Sequence, residues 1–115
     1  MKEFMLIFRV DDVAHCKPTP EQMQERMNWL ASIASRNKLA DKGNALLPDT
    51  DSAKTVRPGN VVTDGPFTET KEFIAGYVIV KTEDIDEAVA IAKENPIFKL
   101  NGNIEVREVS KRKYN

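Results

Sequence analysis

Val61-Val62-Thr63-Asp64-Gly65-Pro66-Phe67-Thr68-Glu69-Thr70-Lys71-Glu72 runs into Phe73-Ile74-Ala75-Gly76-Tyr77-Val78-Ile79-Val80, and the second part decides the architecture. Phe73 to Val80 is apolar without alternation, the pattern of a strand covered on both faces. One other segment shares it, Phe4-Met5-Leu6-Ile7-Phe8 within Lys2 to Val10. Gly76, in the middle of the later strand, marks a bulge or a close approach of other backbone. The part before Phe73 is punctuation. Pro66 fixes its own φ and moves Gly65 out of the α region. It also has no N–H, so Asp64 lacks the donor that would close an Asx-turn two residues on. Asp64 is left to bond Phe67 or a later amide, to pair with a cation such as Lys71, or to meet a ligand.

Working outward, Asp11 to Pro18 is a polar loop. It holds His15 beside Cys16, adjacent positions that seldom give the facing geometry of a nucleophile and its base. Thr19-Pro20-Glu21-Gln22 is a capping box with proline at the first helical position. The helix it opens is expected to bury Met23, Met27, Leu30 and Ala34, spaced by four, three and four. Ile33 widens that stripe and Trp29, at its edge, seals helix to sheet. The helix fades around Arg36 to Lys38. Leu39 to Leu47, broken by Lys42-Gly43-Asn44 and ended by Pro48, reads as an irregular edge strand. Lys54 to Arg57 and Val61 to Thr63 flank Pro58-Gly59-Asn60 as a hairpin. A second helix starts at Asp84-Ile85-Asp86-Glu87, faces inward with Ile85, Ala88, Val89 and Ala92, and stops at Asn95-Pro96. A short loop through Asn101-Gly102-Asn103 leads to an amphipathic last strand with Ile104, Val106 and Val109 inward and Glu105 and Arg107 outward.

The order is β-α-β-(hairpin)-β-α-β, an α+β chain. The two doubly apolar strands belong at the centre of a split βαβ sheet, which is the ferredoxin-like arrangement. Two helices cover one face of such a sheet. A second copy packed back to back is the expected cover for the other, giving a dimeric α+β barrel. The alternative is a monomer whose 54–63 hairpin folds over the sheet.

With 115 residues, one domain spanning 1–115 is expected, long enough to bury about two thirds of its unfolded surface. A net charge of −1 with 30% charged residues lacks the basic face of a nucleic-acid binder. A single cysteine excludes an internal disulfide and suits a reducing compartment. No apolar stretch approaches membrane-spanning length, and Met1-Lys2-Glu3 leads directly into the first strand. A soluble cytoplasmic protein is expected.

Asp64-Gly65-Pro66-Phe67 with Glu69, Lys71 and Glu72, then Gly76-Tyr77, resembles the signature of the DGPF proteins of the YCII-related superfamily. The usual string has alanine where this chain has Thr68. The likeness extends over nearly the whole chain: the apolar first strand, the Pro-Glu start of helix one, Trp29, the Asp-Glu-Ala of helix two and Ile104-Glu105-Val106-Arg107. It implies a ferredoxin-like fold that dimerises through its sheets, and no firm activity, since most members are uncharacterised. YCII-type relatives carry a histidine on helix one and an aspartate near the last helix, proposed as an acid–base pair. Arg26 or a neighbour stands near the first position and Asn95-Pro96 replaces an Asp-Pro at the second, so that chemistry is not carried over. Related DGPF domains also occur fused or adjacent to sigma-factor-like regulators, which implies a regulatory protein partner.

The residues themselves put a candidate site at the loop, binding or transforming a small polar molecule. Asp64 is its general base or ligand anchor. Phe67, Glu69, Lys71 and Glu72 surround it, joined by Arg9 and Asp11 where the first central strand ends. Glu69 would raise the carboxyl pKa of Asp64 and Lys71 would lower it. A metal ion is not expected, for want of a tight acidic cluster or a second histidine, and no cofactor is expected. The structural alternative has Asp64 accepting backbone amides, Lys71 paired with Glu69 or Glu72, and Phe67 plugging the core.

Overall fold

The computed structural model describes residues 1–11, 18–47, 52–65 and 73–111. Six strands, two α-helices and one 3₁₀ helix follow in the order β1 (Lys2–Val10), α1 (Pro20–Ser35), β2 (Leu39–Ala45), β3 (Lys54–Arg57), β4 (Val61–Asp64), β5 (Phe73–Thr82), α2 (Ile85–Lys93), the 3₁₀ helix (Pro96–Leu100) and β6 (Asn103–Glu108). The main sheet has the order β2-β5-β1-β6, antiparallel at every junction. The two doubly apolar strands are therefore central and the weaker ones lie at the edges. This is the ferredoxin-like α+β arrangement.

One face of that sheet carries the core. Phe4, Leu6, Phe8 and Val10 of β1 and Val78 and Val80 of β5 are buried against Trp29 and Ile33 of α1, Ala88, Ile91 and Ala92 of α2, and Ile97. The intervening residues Met5, Ile7, Tyr77 and Ile79 are half-buried, and strand alternation turns them to the opposite face. Pairing shifts register after Phe8, which faces Gly76 while Arg9 faces Ile74, so Ala75 is the extra residue of a bulge. Gly76 itself lies where a Cβ would stand 2.8 Å from the carbonyl oxygen of Asn44 and 3.2 Å from Cα of Ala45. Bulge and close approach, both consistent with a glycine there, occur side by side.

Thr19 caps α1 with the reciprocal Gln22 interaction of a capping box. In α1, Ile33 is in the core and Leu30 packs against it as expected, while the rest of the buried stripe is shifted by one residue. Met23 and Met27 are 49% and 61% exposed and Ala34 is exposed; the inward row is Gln22, Arg26, Trp29 and Ile33, half-buried at its start and buried at its end. Trp29 sets that rotation. Its indole N–H donates to the Ile91 carbonyl at 2.8 Å and its ring meets Phe8 edge-on at 6.0 Å. A large ring with a satisfied polar tip holds the inward face better than a flexible methionine pair. It thus ties α1 to α2 as well as to the sheet.

On α2, Asp84 caps the first turn through the Glu87 amide. Ala88, Ile91 and Ala92 are buried while Ile85 is exposed. Ile85, in the first turn, is on the outer side, Val89 is half-buried, and Ile91 completes the inward face. After Asn95 the chain forms the 3₁₀ helix Pro96–Leu100, which sequence reasoning did not assign, and the expected turn follows at Asn101-Gly102. The β3–β4 hairpin turns through Gly59 and Asn60 at positive φ. Its strands make their main contacts with each other, and Val56 is 74% exposed; the hairpin does not fold over the sheet.

Candidate functional site

Asp64 ends β4, where its side chain is 87% exposed and pairs with Lys54 at 2.6 Å. That cation comes from the facing strand of the hairpin, since Lys54 and Asp64 are register partners. Gly65 follows at φ 79°, a conformation that the absent side chain permits. Its amide donates to the Ala53 carbonyl and its own carbonyl accepts from Thr55 Oγ1. Among the described residues Asp64 thus has neither the burial nor the neighbouring carboxylate that acid–base work requires. Arg9 donates to Glu105 at 2.8 Å on β6, and Asp11 accepts from Asn101 Nδ2 at 3.1 Å. Each of the three is occupied on a different element. Phe67, Glu69, Lys71 and Glu72 lie outside the described residues, as do His15 and Cys16. No group of described residues has the makings of a metal site. No described helix is long and apolar enough to cross a membrane.

A cavity of about 420 Å³ opens elsewhere, between the N-terminal half of α1, the β2–β5 end of the sheet and the 3₁₀ helix. Phe8, Phe73, Ile97 and Leu100 give it apolar walls, and Arg26 and Asn95 are among its few polar lining residues. The size and character are those of a small-molecule pocket. It explains the rotated stripe of α1: Gln22 and Arg26 face inward because they line a space and do not pack a core.

Asn95 is the unusual residue of this wall, 6% exposed. Its Oδ1 accepts from the Ile97 amide at 2.8 Å and so caps the 3₁₀ helix. Ile97 N–H needs an acceptor, which identifies the oxygen side of the amide. The other side, Nδ2, is buried with no hydrogen-bond partner. Leaving such a donor unpaired costs about 1–3 kcal/mol, and buried polar groups are mostly paired with protein, ordered water or a ligand. Arg26, half-buried, makes no hydrogen bond or ion pair with the described residues. The cavity wall is therefore rich in unused donors, and none of its described residues is acidic.

Sequence reasoning set this site aside: Arg26 and Asn95 stand near the positions of the relatives' acid–base pair, whose chemistry they cannot perform, and Asn95-Pro96 otherwise reads as a helix stop. The signal that would have found it is the repeat of the Thr19-Pro20 signature, an Asx or hydroxyl cap followed by proline at the first helical position.

Fold and cavity together define a ferredoxin-like α+β protein with a ligand-sized pocket under its first helix. The YCII-related domain model matches residues 4–113, and the chain belongs to that family. It is also 36% identical over 73 residues to an uncharacterised protein of Rhizobium meliloti (strain 1021), a match covering 57% of this chain and 56% of that protein.

Proposed function

We propose that this protein binds a small molecule in the cavity beneath α1. The observation that carries the proposal is a pocket of about 420 Å³ lined by Arg26 and by Asn95, whose Nδ2 is buried and unpaired. Connectivity supports a part for the Asp64–Glu72 loop, since Phe73, which follows Glu72 directly, is itself on the wall. A thermal-shift screen of small apolar and amphipathic compounds tests the reading. Ala45 is exposed and lines the pocket, so Ala45→Phe is expected to narrow it while leaving the unliganded melting temperature unchanged. Compounds that stabilise the wild type should lose that effect in Ala45→Phe. A screen without stabilising compounds, or compounds indifferent to the substitution, would overturn it.

The open face of the sheet supports a homodimer in addition. Met5, Ile7, Tyr77 and Ile79 form its apolar centre, and Glu105, bridged to Arg9 and Arg107, forms a charged border. An apolar centre inside a polar rim is the anatomy of a protein interface, and a two-fold pairing would use the same patch on both copies.

A further inference from the structure

We infer that the cavity selects an apolar monocarboxylic acid. The inference rests on the cavity being a ligand site and specifies what enters it. The polar groups that define it differ in kind from an acid–base pair. Arg26 is a permanent cation with donors only. Asn95 has spent its acceptor on the Ile97 amide and retains only Nδ2. A ligand able to use both must bring acceptors, and a negative charge to complement Arg26. Nothing acidic among the described lining residues opposes that charge. Apart from Gln22, whose Oε1 accepts from the Thr19 amide, the side chains of the remaining described wall are apolar, Phe8, Met23, Phe73, Ile97 and Leu100 among them, which suits an apolar body. Nδ2 has almost no exposed surface, so a ligand acceptor reaches it only when the Asn95 side chain or its neighbours shift, and Arg26 is the donor open to the ligand first.

Three probes with one body and different heads separate the possibilities: 3-phenylpropionate, 3-phenylpropan-1-ol and 3-phenylpropylamine. Binding is read by calorimetry and by emission of Trp29, the only tryptophan, whose ring abuts the wall residue Phe8. The acid is expected to bind about 10- to 100-fold more tightly than the alcohol, the range of a hydrogen bond to a charged group, and the amine not at all. Arg26→Met keeps the aliphatic stem and should erase the acid's advantage. Asn95→Asp keeps an oxygen for the Ile97 amide, so the fold should survive, yet it exchanges the donor for a carboxylate and should abolish acid binding. Equal binding of acid and alcohol would overturn the inference while leaving the pocket a ligand site. Failure of all three probes to bind would overturn the pocket itself. Acid binding unchanged in both variants, with Ala45→Phe still blocking it, would overturn the assignment of the two donors.

Discussion

A methyl group added at position 76 would press on backbone, not on a yielding side chain. The Asn44 carbonyl oxygen and Ala45 Cα stand 2.8 and 3.2 Å from where it would sit, so β2 would have to move. Gly43 is tighter still, with φ 66° and a Cβ position 1.7 Å from the Tyr77 carbonyl oxygen. Gly76→Ala is therefore expected to destabilise by about 1–3 kcal/mol, the range for overpacking. Gly43→Ala should cost more, since a left-handed φ adds roughly 1–2 kcal/mol. Urea denaturation of the two variants checks both the size and the order. Gly76 was legible in the sequence because a glycine in an apolar strand has few other uses. Asn95 was not, because its unspent donor appears only once the 3₁₀ helix claims its oxygen.

Among the elements, the strands were easier to read than the helices. Phe4–Phe8 and Phe73–Val80 announce their central position through composition alone, whatever the details of packing. Helix α1 misleads by one residue because half of its inward row, Gln22 and Arg26, is polar. An apolar-stripe rule passes over such a row and takes the neighbouring methionines. Helix α2 bears a prediction at its own scale. Glu87, three residues past the cap, has its carboxyl held below the usual range, chiefly by the Lys38 ammonium and next by the Glu83 amide. A depressed folded value means stability that is present above the unfolded carboxylate range and lost as pH falls through the folded one. Glu87→Gln should consequently melt below the wild type at neutral pH. The gap should close in acid once Glu87 is protonated, as thermal melts across that window would show. Because the pair is partly exposed, the gap should be small and shrink with salt.

As a whole the molecule is a slab, 44 × 39 × 18 Å, with helices on one side of the main sheet and an apolar centre on the other. Ile79 sits in that centre, register partner of Met5. If two copies close face to face, the wild type should sediment at twice 13.0 kDa at micromolar concentration. Ile79→Glu, placing a charge at the centre of the patch, should return it to a single protomer without loss of helical signal. A wild type sedimenting as one protomer would overturn the pairing. The layer order was visible in the sequence because it follows from which strands are apolar on both sides. The cavity was not, because its walls come from α1, β1, β2, β5 and the 3₁₀ helix, segments far apart in the chain.

The cap at Asn95 has a consequence for the lifetime of the protein. Asparagine ages to aspartate when the backbone nitrogen of the next residue attacks the side-chain amide and closes a succinimide ring. Pro96 offers a nitrogen without a hydrogen, so that route is shut at Asn95. The residue whose conversion would reverse the polarity of the pocket wall is thus the one its neighbour shields from deamidation by that route.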